Sequence, residues 1–338
     1  MRWMGIDRKK RGAVLIFALW LISFLAVLAV NIAVGIRHKI IMLKRLEHRQ
    51  QLLTVTEAGV KKAIAVLMDD IGRNQFQYTA AGKMIRHSNP EQLHNIQLGE
   101  DFCEVSYDTS GTTFFGMVDE ESKININVAG KPVLKAIIIL ALKINDDQAQ
   151  NLAESIFDWR EFGQSQIIGF YSDDYYANLE FPYPEKKDQF ELMDELLLIK
   201  GIDRAVFEKL SQYLTVYGDG RVNINTASKE VLMALGMGES LVDKILAVRR
   251  GADGFEYTFD DHIFHKTFDV ATEVGAVLKI DSNDIRQINQ FNVKGWLTTT
   301  SYYYTVRSIG HLVNTSEQKT IRCVFNTRES HIEYWNEK

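Results

Sequence analysis

The 338-residue chain carries a formal net charge of −5, and 46% of its residues are hydrophobic while 25% are charged. This composition is globular and excludes a wholly disordered, collagen-like or multi-span membrane protein. The slight acidity disfavours a general nucleic-acid binder, which normally carries a basic surface. The two cysteines exclude a disulfide-rich scaffold and a four-cysteine zinc site.

The amino terminus contains an uncharged apolar stretch, residues 13–36, directly after the basic run Arg8–Arg11 and Gly12. A helix of these 24 residues rises about 36 Å, enough to cross a hydrocarbon core of about 30 Å. The stretch is longer than the apolar core of a secretory signal peptide and continues into an amphipathic pattern. The sequence therefore predicts one helix from about residue 13 to 71, which spans a membrane and then forms a stem.

Two related segments lie in the middle of the chain: residues 114–130 read FFGMVDEESKININVAG and residues 217–228 read YGDGRVNINTAS. Each combines a short extended stretch with a helix start. Asn and Thr side chains close turns and cap helices, so the shared asparagines are predicted to be structural. After the second copy, Gly236–Gly238 separates two helical patterns, which resembles a helix-hairpin-helix module.

The two outer parts of the body have strand-like sequences. Apolar and polar residues alternate over 102–108, and in parts of 302–309 and 319–325, which predicts an antiparallel sheet against the stem. Cys103 and Cys323 fall in these outer blocks. Either a disulfide or two free thiols is compatible with the sequence, because spacing along a chain does not show contact.

The basic leader, its glycine, the apolar segment and the amphipathic stem together resemble the amino terminus of type IV pilins and pseudopilins. Most of that family has a glutamate at the fifth mature position, where this chain has Phe17. Phe17, the twin NIN motifs and the segment Asp158–Arg160 are similar to the K-type minor pseudopilins of type II secretion. The resemblance covers about residues 8–328 and implies cleavage by prepilin peptidase between Gly12 and Ala13.

The resemblance implies an α+β fold, in which a pilin-like long amino-terminal helix packs on a small antiparallel sheet. A large all-α domain of helix-hairpin-helix or SAM-like type is expected as an insertion. The implied domains are the leader 1–12, the transmembrane and stem helix 13–71, the α/β body 72–119 and 291–330, and the inserted domain 120–290.

By the same resemblance the chain is a non-enzymatic minor pseudopilin at the pseudopilus tip, which initiates assembly and supports export across the outer membrane. Its implied partners are the I- and J-type minor pseudopilins, the major pseudopilin, the inner-membrane assembly platform and prepilin peptidase. Basic residues ahead of a first span hold that end in the cytoplasm. The protein is therefore expected as a single-pass inner-membrane protein with its carboxy-terminal domain in the periplasm.

The family can bind calcium in its helical insertion, and no other cofactor is implied. The candidate ligands here are four carboxylates: Asp158, Glu161, Asp173 and Asp174. Calcium takes six to eight oxygen ligands, mainly carboxylates and carbonyls. Relatives often have an aspartate-rich run after the Asp-Trp pair, whereas this chain has Glu161-Phe162-Gly163-Gln164 there, so a solvated acidic loop is favoured over a calcium site.

Two other functions compete with the pseudopilin interpretation. The sequence motif VNINTAS and the hairpin pattern also occur in competence DNA receptors. A membrane-anchored DNA-binding protein of the competence type is therefore the alternative to a pseudopilin. An anchored enzyme would need a convergent polar site, and the sequence contains no nucleophile elbow, P-loop or dinucleotide-binding loop.

Overall fold

The computed structural model describes residues 8–74, 90–109, 111–160, 174–254, 260–313 and 315–338. The chain divides into two compact units, Met1–Val55 and Thr56–Lys338. The helices are α1 (Arg8–Asn74), α2 (Pro90–Leu93), α3 (Lys131–Leu142), α4 (Asp146–Arg160), α5 (Asp174–Ala177), α6 (Arg204–Leu210), α7 (Lys229–Ala234), α8 (Glu239–Arg249), α9 (Val270–Val277) and α10 (Ser282–Lys294).

The strands are β1 (Ile96–Leu98), β2 (Asp101–Val105), β3 (Tyr107–Thr109), β4 (Thr112–Phe114), β5 (Val118–Asp119), β6 (Ile124–Asn125), β7 (Leu214–Thr215), β8 (Val222–Asn223), β9 (Leu297–Thr298), β10 (Tyr303–His311), β11 (Gln318–Asn326) and β12 (His331–Glu337). Short 3₁₀ turns cover Glu120–Ser122, Met193–Leu198 and Thr267–Asp269.

Helix α1 contains a segment that is able to span a membrane. It is long and apolar enough to cross a membrane, and none of its most apolar window is buried within the protein. Apolar surface left in water costs roughly 25 cal/mol per Å². A helix that keeps such a surface exposed is therefore built for a lipid environment or for neighbouring helices.

The main sheet is antiparallel in the order β1-β2-β10-β11-β12, and β5 pairs with the remaining part of β10. Ser308 on β10 lies opposite Val105 of β2, whereas Tyr304 on the same strand lies opposite Asp119 of β5. The helical domain is thus inserted between β5 and β10, which are direct neighbours. Because its two ends are adjacent in space, the insertion leaves the sheet intact.

Gly59 brings the carboxy-terminal part of α1 close to the sheet. A Cβ atom at this position would lie 2.1 Å from Ser308 Oγ and 3.1 Å from Cys103 Sγ. The Ser308 hydroxyl also donates to the Thr56 carbonyl at 2.8 Å. The helix and the central strand β10 therefore meet at a distance that only a glycine permits.

The two cysteines are separate free thiols. Cys103 lies opposite Gly310 and Cys323 lies opposite Val306, with β10 between their strands. Two strand spacings are about 10 Å, well beyond the Cα separation that a disulfide allows. The disulfide alternative is therefore wrong. Burial raises the pKa of the Cys103 thiol to about 11 and that of Cys323 to about 12, which keeps both protonated and unreactive.

The inserted domain has one continuous apolar core built by both halves of the insertion. Ile124 and Ile126 from the first NIN segment share this core with Val222 and Ile224 from the second. The long helix, the antiparallel sheet and the helical insertion confirm the predicted α+β fold. The strands predicted near 302–309 and 319–325 are present in the main sheet, whereas the stretch 102–108 is divided between β2 of that sheet and β3, which pairs with β4 in a separate two-stranded sheet.

We expect Gly59→Ala to destabilise the packing of α1 on the sheet by about 1–3 kcal/mol, because the added methyl group overlaps Ser308. Thermal unfolding of the full chain in detergent, followed by tryptophan fluorescence, measures the effect. Gly35→Ala is the matched control, since a Cβ there meets nothing within 4 Å. Equal unfolding midpoints for the two variants would contradict the close-approach argument.

Candidate functional site

The predicted cleavage residues and the distinctive fifth mature position all lie on α1. Gly12 and Ala13 are part of its backbone. Phe17 is 65% exposed on the surface of the same helix, and Trp20 and Phe24 stack with ring centroids 6.1 Å apart. The structure therefore presents this end as an apolar helical surface, and cleavage after Gly12 stays a prediction.

Three consecutive carboxyl groups, Asp119, Glu120 and Glu121, form the junction cluster between the sheet and the insertion. All three residues are at most 6% exposed. Buried charged groups are stable only when they are paired or fully hydrogen-bonded. The partners of each carboxylate therefore show what this cluster holds together.

Asp119 connects the start of the insertion to its second half. Its carboxylate accepts hydrogen bonds from the Thr226 hydroxyl at 2.5 Å, the Ser301 hydroxyl at 2.7 Å and the Asn223 amide at 3.1 Å. The Glu121 N–H donates to the other oxygen at 2.8 Å. Burial raises the pKa of Asp119, and these donors oppose the rise.

Glu120 forms a buried ion pair and links the sheet to the first half of the insertion. Its carboxylate lies 2.9 Å from Lys123 Nζ and accepts hydrogen bonds from the Thr305 and Thr215 hydroxyls at 2.6 and 2.7 Å. Burial alone would raise the pKa of Glu120. The Lys123 charge and the two hydroxyls outweigh burial, so the net pKa is lowered and the group stays ionised.

Glu121 ties the two ends of the insertion directly, because it accepts a hydrogen bond from the Tyr302 N–H. Gly218, with φ of +81°, packs on it so closely that a Cβ would lie 2.9 Å from Glu121 Cγ. Burial raises the pKa of Glu121 to about 7; the Tyr302 bond opposes this, and the charges of Asp119 and Asp219 add to it.

The first asparagine of each NIN motif closes the turn that leads into a helix. The Asn125 side chain accepts from the Asn127 N–H at 2.8 Å, and the Asn223 side chain accepts from the Asn225 N–H at 3.0 Å. Both are Asx turns, in which a side-chain oxygen replaces a backbone acceptor. The predicted structural role of these residues agrees with their contacts.

The second asparagine of each motif makes a paired contact with a distant backbone. Asn127 donates to the Phe190 carbonyl at 2.9 Å and accepts from the Phe190 N–H at 2.8 Å. Asn225 makes the same pair with Phe264, at 2.8 Å in both directions. In both copies, the amide side chain of the asparagine thus makes the pair of hydrogen bonds that a neighbouring strand would make with the backbone of the phenylalanine.

A buried arginine completes each copy. Arg160, at the end of α4, donates to the carbonyls of Ile126 and Ala129. Arg249, at the end of α8, donates to the Ala227 carbonyl at 2.6 Å and to the Ile224 carbonyl at 3.4 Å. The two arginines are 8% and 2% exposed and satisfy carbonyls at equivalent places in the two NIN turns.

Parallel strand pairs close the two copies in the same way. Ile124 of β6 lies opposite Leu214 of β7, and Val222 of β8 lies opposite Leu297 of β9. The local repeat seen in the sequence is therefore a duplication of a whole substructure. The arginine and phenylalanine members of this repeat are not apparent from the sequence, because they stand at unequal spacings from the two NIN motifs.

Three donors that a phosphate site in the helix-hairpin-helix segment would use are already engaged or buried within the domain. The Gly238 N–H at the start of α8 already donates to Gln287 at 2.9 Å. Lys244 is paired with Asp284 at 2.6 Å, and Arg249 is buried. This geometry does not favour the alternative of a DNA-binding protein.

Only one of the four predicted calcium ligands has a described side chain. Asp158 is half-buried near the end of α4, and burial raises its pKa while Lys131 and Lys187 oppose the rise. Glu161 and Asp173 lie outside the described residues, as does the side chain of Asp174. Among the described residues, no group of three or more His, Cys, Asp or Glu could hold a metal ion. Calcium binding therefore stays a prediction.

The chain has clear similarity to known proteins. Residues 122–219 match the family model described as Type II secretion system (T2SS), protein K. The chain is 24% identical over 224 residues to the Putative type II secretion system protein K of Escherichia coli (strain K12). The aligned region covers 65% of this chain and 66% of that protein. It has the fold of a chain in the crystal structure of the GspK-GspI-GspJ complex from the enterotoxigenic Escherichia coli Type 2 Secretion System, with a TM-score of 0.59 at 16% identity, covering 87% of this chain and 98% of that one.

The exposed apolar helix, the sheet and the inserted domain define a pilin-like subunit with a membrane anchor. With the family match, they confirm the resemblance drawn from the leader, Phe17 and the NIN motifs. Residues 122–219 match the type II secretion system protein K family, and the chain as a whole is similar to a protein of that description and shares the fold of a chain in the solved complex. The aligned region spans just under two thirds of the length of that curated relative.

We expect Arg249→Leu to lower the free energy of unfolding by about 2–3 kcal/mol, because it leaves the Ile224 and Ala227 carbonyls buried without their donor. Lys209→Leu, at an exposed position near the end of α6, should change it by less than about 0.5 kcal/mol. Denaturant unfolding of both variants in detergent measures the difference. Similar losses for the two would show that Arg249 has no special structural role.

The raised pKa of Glu121 predicts a pH-dependent stability. A carboxyl whose folded pKa is about 7 and whose unfolded pKa is 4.5 stabilises the fold fully below pH 4.5 and loses this contribution as the pH rises through about 7. The thermal unfolding midpoint should therefore decrease as the pH is raised from about 5 to about 8. Glu121→Gln keeps an acceptor for the Tyr302 N–H and should flatten this slope, whereas Glu100→Gln, at an exposed position, should retain it. An unchanged slope in Glu121→Gln would contradict the assignment.

Proposed function

We propose that this chain is a non-enzymatic minor pseudopilin that acts at the tip of the pseudopilus. It initiates assembly with other minor pseudopilins and supports protein export across the outer membrane. The observation that carries the proposal is the apolar amino-terminal part of α1, whose most apolar window is not buried in the protein itself. Such a helix can be held by lipid before assembly and by the helices of other subunits afterwards.

Phe17 supports a place at the tip. A glutamate at this position can pair with the amino-terminal amine of a neighbouring subunit, which compensates the cost of a charge among apolar helices. Phe17 offers no such partner and is an apolar, exposed side chain. The subunit therefore lacks one of the links that a continuing fibre uses.

The inserted domain supports the same position. It occupies the chain between Asp119 and Ser301, far more sequence than the sheet itself, and its core is shared by both repeat copies. A head of this size on the sheet obstructs the addition of a further subunit above it. A bulky subunit is therefore suited to begin a fibre and unsuited to extend one.

The proposed partners are the I- and J-type minor pseudopilins, the major pseudopilin, the inner-membrane assembly platform and prepilin peptidase. This chain shares the fold of a chain in the solved GspK-GspI-GspJ complex. That complex supports the I- and J-type minor pseudopilins as partners. We further propose that α1 anchors the chain in the inner membrane with its second unit in the periplasm. The basic residues of the leader, ahead of the span, support this orientation.

Replacement of Gly12 should block removal of the leader. In cells with prepilin peptidase, mass spectrometry of the wild-type chain should find Ala13 at the amino terminus, whereas Gly12→Val should retain Met1. Cleavage removes five Lys or Arg and one Asp, which takes the formal charge from −5 to −9. Gly5→Val, elsewhere in the leader, is the control and should be cleaved normally.

The mature chain, purified in mild detergent, should also retain the I- and J-type pseudopilins from the same cells. Secretion should fail in cells that carry only the Gly12→Val form. A wild-type chain that keeps its leader in the presence of the peptidase, and that is purified without pseudopilin partners, would overturn the proposed function.

A further inference from the structure

A cluster of basic side chains lies directly beyond the apolar stretch, where α1 continues as the stem. We define the basic collar as Arg37, Lys39, Lys44 and Arg45. All four are exposed, and none forms an ion pair in the described helix. Glu47 is the only acidic residue in the segment 37–49. The collar is thus a concentrated, uncompensated positive charge.

The collar lies at the height of lipid headgroups. The polar region of a bilayer extends roughly 5–8 Å beyond each face of the hydrocarbon core. At 1.5 Å per residue, Arg37 and Lys39 enter this region directly, while Arg45 lies about 13 Å beyond Ile36. Side chains on a helix tilt towards its amino terminus, which here is towards the membrane, and long cationic side chains extend back to the interface. All four charges can therefore reach headgroup phosphates.

The positive charge of the collar is explained neither by ion pairs within the helix nor by the usual distribution of cations that orients a membrane span. Cations on the translocated side of a span oppose the usual excess of positive charge in the cytoplasm. The remainder of the mature chain is acidic, since the whole carries −9 despite the collar. An anionic membrane surface therefore repels most of the protein and attracts this segment.

We propose that the basic collar binds the phosphate groups of anionic phospholipids in the leaflet where the span ends. The inference rests on the proposed function, because it takes the stem as lying outside the cytoplasm. Each cation near an anionic surface strengthens attraction roughly fivefold. The collar holds the subunit at the membrane surface, and these contacts must be broken when the subunit leaves the bilayer for the fibre.

The test uses the full chain in vesicles of phosphatidylcholine with a minor fraction of phosphatidylglycerol. A fluorescent donor is attached at Gln50→Cys, since the native Cys103 and Cys323 are buried. Energy transfer is measured to acceptors on the headgroup of either lipid, in separate preparations. The wild-type chain should show an approximately fivefold or greater preference for phosphatidylglycerol, which falls as salt is added.

The collar variant carries Gln at Arg37, Lys39, Lys44 and Arg45, and should lose the lipid preference. The control variant makes the same change in net charge at four exposed lysines of the second unit: Lys143, Lys209, Lys266 and Lys279. It should keep the preference.

Equal transfer to both lipids from the wild-type chain, or equal losses in the two variants, would overturn the proposal. So would a collar variant that keeps the lipid preference but no longer captures a second pseudopilin in the same vesicles, because the collar would then be a protein-docking surface. The vesicles contain no peptidase or platform, so this result is independent of leader cleavage and secretion.

Discussion

The burial of three adjacent carboxyl groups at the junction cluster is the constraint on which the second unit depends. A buried carboxylate without donors would cost several kcal/mol, so Asp119, Glu120 and Glu121 are stable only when their partners are in place. Those partners come from β10, from both halves of the insertion and from the segment that leads out of it. The sheet and the inserted domain are therefore coupled, because neither can move away without leaving a buried charge unsatisfied.

Inside the insertion, polar side chains replace backbone partners that a small domain cannot supply. Its parallel strand pairs are only two residues long, so most carbonyls in the NIN turns have no strand opposite them. Arg160 and Arg249 satisfy those carbonyls, and Asn127 and Asn225 hold the loops at Phe190 and Phe264. The same arrangement of one arginine and one asparagine occurs in both halves of the insertion. It explains how the two halves share one core although their helix lengths and loops differ.

The first unit is adapted to a different solvent. Its side chains are apolar and exposed along the span, and basic and exposed directly after it. In water the apolar side chains of the span would be unfavourably exposed and the basic side chains after it would be unpaired. A bilayer supplies hydrocarbon to the apolar side chains and phosphate groups to the basic ones. The rest of the chain is acidic, since the whole chain carries a formal net charge of −5 despite these cations. This asymmetry fits a subunit that is held by lipid through one segment only.

The sequence by itself determined the long helix, the strand-like ends of the body and the structural role of the NIN asparagines. These follow from local properties: an uncharged apolar run, alternation of polarity, and the turn preference of Asn. It did not predict β12, which is mostly polar and exposed because it lies at the edge of the sheet. Only the tertiary structure decided that the acidic run at 119–121 is buried rather than solvated, that Arg249 binds carbonyls rather than phosphate, and that the two thiols lie apart. Each of these depends on partners distant in the chain, and local sequence contains no information about where such partners lie.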